Sequence, residues 1–174
     1  VITFIFPAIN LQPAGHVVVV SDLEGFETRY GTGLPVAGQF SGTLDNGGER
    51  IALMTSDDIS IQDFVYDDEG TWPGRADGIG SSLEIINTAS SYDNSENWRS
   101  SSEYNGSPGT SGAGLDGRIV INEVLTNTDL PAVDHIELHN TTARSIEVVD
   151  WYLSDANSNY RKFRIPSGII PSGG

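Results

Sequence analysis

Residues 38–66, GQFSGTLDNGGERIALMTSDDISIQDFVY, decide how the rest of the chain is read. Ile51 and Leu53 alternate with Arg50 and Ala52, and Ile59 and Ile61 begin a second run that ends on Phe64 and Tyr66. Apolar residues at every second position suit a strand, whose side chains point alternately to opposite faces. Asp45-Asn46-Gly47-Gly48 supplies residues for which positive φ is cheap. The spacing therefore predicts a hairpin over 38–55, with Phe40 and Leu44 on one arm and Ile51 and Leu53 on the other. Ser56-Asp57-Asp58 predicts a turn before the next strand, over 59–66.

The same signals recur outward from this stretch. Upstream, residues 1–5 and 16–21 read as strands, with Pro7 and Pro13 punctuating the turn between them. Ser21 and Asp22 are helix N-cap residues, Leu23, Phe26 and Tyr30 fall on one helical face, and Gly31 ends the pattern, which predicts one short helix. Downstream, Trp72-Pro73 and Trp98 bracket a loop-rich stretch holding a strand at 82–86. Residues 101–117 are rich in Ser and Gly and almost without apolar side chains, a composition that reads as a flexible linker. Strands resume at 118–121, 134–139, 145–149, 151–154 and 162–165. The organisation expected is two strand-rich blocks, 1–100 and 118–174, in an all-β chain whose short strands and regular turns indicate a β-sandwich.

Composition narrows the function. The chain has 174 residues, 24 acidic against 9 basic, and a formal charge of -15. Such a surface repels nucleic acid and anionic membranes, so neither is expected as a partner. There are no cysteines, which excludes disulfides, thiolate metal sites and cysteine nucleophiles. The longest apolar run, 17–20, is far too short to insert in a membrane. With no initiating Met and no signal peptide, the chain reads as part of something longer.

Taken in order, INEVL at 121–125, DHIELHN at 134–140, VVDWYLSD at 148–155 and IPSGIIPSGG at 165–174 resemble the opening motifs of the lamin-tail domain family. FPAINLQPAGHVVVVSD, LDNGGERIAL, IQDFVYDD, WPGRADGIGSSLE and NWRSS, in the first block, resemble the remainder of that domain. One departure is His135, where the family often carries an aromatic. The resemblance implies an immunoglobulin-like β-sandwich, of a kind that bacterial members carry in secreted or surface proteins, and it makes Trp151 the sandwich-core tryptophan. It also implies that 1–100 is the later part of one domain and 118–174 the first strands of the next, as in a tandem repeat. FIFPAINLQPAG at 4–15 repeats FRIPSGIIPSGG at 163–174, read with one residue inserted.

Several residues are candidates for metal binding. His135, Glu137 and His139 alternate along one strand and so share a face, an arrangement that suits a divalent transition metal or simply the solvated side of a sheet. By strict alternation Glu123 shares a face with Ile119, Ile121 and Leu125, where a carboxylate needs a partner: backbone amides, an Arg, or a calcium ion. The loop clusters Asp57-Asp58, Asp67-Asp68-Glu69 and Asp93 to Glu96 are rich in the oxygen donors that Ca²⁺ prefers, though none has the twelve-residue EF-hand pattern. For catalysis there is no G-x-S-x-G elbow, no P-loop, and nothing that sets a serine beside a histidine and an acid. Exposed aromatics could contact carbohydrate, and Trp72, Trp98 and Trp151 are the candidates, although the resemblance makes Trp151 a core residue instead.

The function expected is a non-enzymatic structural module of an extracellular or cell-surface protein or filament. Its partners would be copies of itself, joined by strand complementation, or adjacent repeats of the same polypeptide that supply the missing strands covalently; no cofactor is expected beyond a possible calcium ion. The alternative is a calcium-dependent adhesion or carbohydrate-binding module of a larger secreted protein.

Overall fold

The computed structural model describes residues 1–114, 116–156 and 159–174. The chain divides into a first unit, Val1–Gly114, and a second, Leu115–Gly174. Each is built from short strands paired two by two, with one α-helix in the first, so the all-β expectation holds among the described residues.

In the first unit, β1 (Val18–Val20) and β2 (Val36–Gln39) run parallel. A parallel pair needs a long crossover, and the helix α1 (Leu23–Tyr30) supplies it. The cap residues are the ones its sequence signals. Asp22 accepts from the Gly25 amide at 3.2 Å, and Gly31, at φ 83°, closes the other end by donating to the Glu27 carbonyl at 2.8 Å.

β3 (Arg50–Met54) pairs antiparallel with β4 (Ser60–Val65). The hairpin of this stretch is therefore turned at residues 55–59, with Thr55 donating to Ile59 O at 2.8 Å and Asp58 at φ 60°. This corrects the expected hairpin over 38–55. Asp45-Asn46-Gly47-Gly48 does turn, with Gly47 N donating to Asp45 Oδ1 at 2.9 Å, but it leads the chain out of the β1–β2 pair instead of folding β3 back on it. Gly48 is required there: its φ is 107°, and a Cβ would lie 2.4 Å from the Tyr66 carbonyl oxygen.

β5 (Leu83–Ile85) pairs with β6 (Trp98–Ser100). Around β6, Phe64, Tyr92, Trp72 and Trp98 form an aromatic cluster with ring centroids 5.3–6.0 Å apart, and Trp98 Nε1 donates to Tyr92 O at 2.7 Å. Two of the three candidate sugar-contacting tryptophans, Trp72 and Trp98, thus pack against each other.

Residues 101–114 belong to the first unit, which corrects the expected linker. Ser101 is fully buried and exchanges hydrogen bonds with Ser82, Ser81 and Glu103. Glu84 accepts from Arg99 at 3.1 Å and from Ser107 at 3.0 Å, and Tyr30 donates to the Asn105 carbonyl at 2.7 Å. The segment is ordered by polar contacts, which its lack of apolar side chains could not reveal.

In the second unit, β7 (Ile119–Leu125) and β8 (His135–Asn140) pair antiparallel. β9 (Ile146–Glu147) pairs with β12 (Ile169–Ile170), and β10 (Tyr152–Leu153) with β11 (Phe163–Arg164). Asn140, with no exposed surface, ties these ribbons together. Its side-chain amide donates to the carbonyls of Arg144, Ile170 and Pro171 at 2.8, 3.0 and 2.9 Å, and its oxygen accepts from the Thr142 amide and hydroxyl. Trp151, the expected sandwich-core residue, is half-buried beside β10.

The turn that closes this unit has a twin. Gly174 N donates to Pro171 O at 3.2 Å across Gly173 at φ 67°, and Gly15 N donates to Gln12 O at 2.8 Å across Ala14 at φ 59°. These positions, like Pro166 and Pro7, are related by one offset: 174 - 15 = 173 - 14 = 166 - 7 = 159. The repeated element therefore contains no inserted residue.

Two expectations follow. Asn140→Ala leaves three carbonyls without their donor in a buried place, so it should destabilise the second unit by about 3 kcal/mol. Hydrogen exchange should then lose protection at Ile169–Ile170 but not in the β3–β4 ribbon. Asp116 accepts from the Arg118 side chain at 2.8 and 2.5 Å and from the Arg118 amide at 3.1 Å, and these bonds hold its pKa down at about 2. That is below the ordinary value of about 3.9, so the stabilisation is present above that value and is lost as pH falls toward 2. Carboxyl NMR titration should show the low midpoint, and Arg118→Ala should return it to the ordinary range.

Candidate functional site

The strand register decides the fate of most candidate residues in the second unit. Along β7–β8, Ile119, Val120 and Ile121 oppose Asn140, His139 and Leu138, and then the register slips, so that Glu123, Val124 and Leu125 oppose Glu137, Ile136 and His135. The extra residue is Asn122. Directly opposed residues share a face, so the bulge moves Glu123 off the face of Ile119 and Ile121 and onto that of His135, Glu137 and His139. The expected placement of Glu123 among apolar side chains is corrected accordingly: it is exposed, with His135 Nε2 at 3.9 Å.

On that polar face the side chains find separate partners. Glu137 accepts from the Asn122 side chain, and His139 Nδ1 lies 3.2 Å from the Gly174 carbonyl. His135 Nδ1 lies 3.4 Å from Val133 O. Among the described residues no group of three or more His, Asp and Glu side chains is arranged to hold a metal ion.

The other face of the ribbon carries Ile119, Ile121, Val124, Ile136 and Leu138. Ile121, Val124 and Ile136 are 58, 55 and 50 % exposed. Five apolar side chains on one side of a two-stranded ribbon form the half of a core that a second layer would cover.

Two of the loop acids of the first unit, Asp67 and Asp93, likewise have partners of their own. Asp67 Oδ1 accepts the amides of Asp68 and Glu69 at 2.7 and 2.9 Å, and these bonds, Glu69 first, lower its pKa. Asp93 Oδ1 accepts the Val65 amide at 3.0 Å and so pins its loop to the end of β4. Asp67 and Asp68 do border a cleft of about 300 Å³, together with Asp45, Asp77, Tyr66, Leu44, Pro73 and Leu83. Tyr66 donates to Asp45 O at 2.6 Å; burial, and then the charges of Glu49 and Asp45, raise its pKa. Asp45 and Asp77 were not singled out by sequence, because one sits in a turn motif and the other follows a single 3-10 turn, Gly74–Ala76.

For nucleophilic chemistry the arrangement is poor. Ser111 Oγ lies 3.4 Å from His16 Nε2, a pair remote in sequence, but among the described residues no carboxylate hydrogen-bonds the other ring nitrogen. Such a pair lacks the third group that orients the base.

Comparison of the chain with protein-family models, curated proteins and solved structures finds no match. The likeness to lamin-tail domains therefore rests on the motifs themselves.

Proposed function

We propose that this chain is a non-enzymatic structural module of an extracellular or cell-surface assembly, in which immunoglobulin-like sandwiches of lamin-tail type are completed between copies. The observation that carries the reading is the uncovered apolar face of β7–β8, where Ile121, Val124 and Ile136 stand half or more exposed. It is not isolated. Among the described residues, the buried hydrophobic side chains are Val20, Ile146 and Val148.

A cysteine-free chain has only packing to hold it, and apolar surface in water is worth about 25 cal/mol per Å² once covered. Strands supplied by another copy would cover that surface and pair open sheet edges at once. A contact of that kind is head-to-tail, so it propagates into a fibre unless the rotation closes a ring. Among the described residues no helix is long and apolar enough to cross a membrane.

The cleft bordered by Asp45, Asp67, Asp68 and Asp77 favours a second reading, a binding module for calcium or for carbohydrate. Its carboxylates would ligate the cation or accept sugar hydroxyls.

Light scattering over a rising concentration series separates assembly from isolation. The proposal expects particle mass to grow with concentration, and a folded monomer that persists at micromolar concentration contradicts it. Melting with excess calcium and with a chelator addresses the second reading. Calcium bound in the cleft at a hundredfold excess over its Kd adds about 2.7 kcal/mol, so coincident melts remove calcium from that reading.

A further inference from the structure

The second unit holds a segment in a socket, and the first unit carries a similar segment that is exposed beyond Phe4. Residues 163–174 are seated by three sets of contacts: β11 on β10, β12 on β9, and the carbonyls of Ile170, Pro171 and Gly174 on Asn140. Residues 4–15 match residues 163–174 at Phe4, Pro7 and Gly15 at the constant offset of 159, and they close with the same hydrogen-bonded turn. The likeness extends to Ala14, which takes the left-handed backbone of Gly173 although it has a Cβ.

Yet residues 4–15 belong to no strand, and the adjoining bridge joins Thr3 to Ser41. Ile5, Ile9 and Leu11 are 87, 46 and 52 % exposed. The segment is also free of charge: residues 1–20 contain no Asp, Glu, Lys or Arg, in a chain of net charge -15. It can therefore approach a second acidic copy without adding to the repulsion between them.

We infer that residues 4–15 of one copy enter the socket formed by Ile146–Glu147, Tyr152–Leu153 and Asn140 of a second copy, in place of that copy's residues 163–174. This rests on the head-to-tail assembly proposed above and names its contact. In the new pairing Phe4 replaces Phe163 opposite Leu153, Leu11 replaces Ile170 opposite the buried Ile146, and Asn10 replaces the exposed Ile169 opposite Glu147. Two positions fit less well. Ile5 replaces Arg164 and gives up its ion pair with Asp150. Ile9 replaces Gly168, where a Cβ lies 3.3 Å from Val148 Cγ2, so Val148 must give by a few tenths of an ångström.

That misfit gives the test its direction. The full chain has no cysteine, so Asn10→Cys with Glu147→Cys introduces the only two thiols, on residues that would be cross-strand partners. Such partners have Cα atoms about 4.5–5.5 Å apart, within disulfide reach. Oxidation at a concentration where the chain is oligomeric should give a ladder of linked copies on a non-reducing gel. Adding Ile9→Gly should raise the ladder yield, whereas generalised apolar sticking would lower it. Ile5→Cys with Tyr152→Cys tests the same register independently, should the first pair fail to fold. Asn10→Cys with Glu137→Cys should give no ladder.

Oligomers without a ladder in either matched pair overturn the socket and leave head-to-tail assembly standing. A disulfide confined to the monomer overturns the exchange between copies. A chain that stays monomeric at every concentration overturns both.

Discussion

Apolar side chains without enough interior to receive them are the constraint on which everything else in this protein depends. With no disulfide available, the chain must be held by packing, yet the buried hydrophobic residues among those described are Val20, Ile146 and Val148. Short strands aggravate the shortage. A two-stranded ribbon buries one face only if another layer lies on it, and the face of β7–β8 that carries Ile121, Val124 and Ile136 remains open. A surface of this kind marks an interface more often than an accident of composition.

Buried polar side chains fill part of the gap left by the thin core. Asn140 in the second unit and Asn97 and Ser101 in the first are almost completely enclosed, and each satisfies backbone groups of irregular segments. Asn97 accepts the Asn87 amide at 3.1 Å and donates to the Asn87 and Ser91 carbonyls at 3.0 and 3.1 Å, much as Asn140 serves Arg144, Ile170 and Pro171. Such bonds fix where a loop goes because leaving any one of them unmade in a buried place costs about 1–3 kcal/mol. They specify shape but cover little apolar area, so the ribbons are well defined and still exposed.

How much of this was legible in the sequence differed with the range of the interaction. The helix after Asp22 was readable because capping and periodicity act within one turn of backbone, and the turn at Ser56-Asp57-Asp58 was readable for the same reason. Strand pairing was harder to see. β1 and β2 join in parallel across the helix, and β3 turns to β4 despite the stronger turn chemistry of Asp45-Asn46-Gly47-Gly48 before it. The bulge at Asn122 leaves no mark in alternation, so strict alternation puts Glu123 on the wrong face. Residues 101–114 have the composition of a linker because composition records missing apolar side chains and not the hydrogen bonds of Ser101, Glu84 and Asn105. Of the candidate ligands, sequence brought His135, Glu137 and His139 to one face, but it could not show that each turns to a different partner.

In the proposed assembly the uncovered ribbons are completed by other copies of the chain. Electron microscopy of the assembled protein addresses this most directly, since strand exchange repeated head to tail has a visible form. Such an assembly would appear as thin fibres with an axial repeat of about one domain length, or as rings where the rotation closes. Discrete particles of single-chain size, at a concentration where the protein is folded, would contradict it.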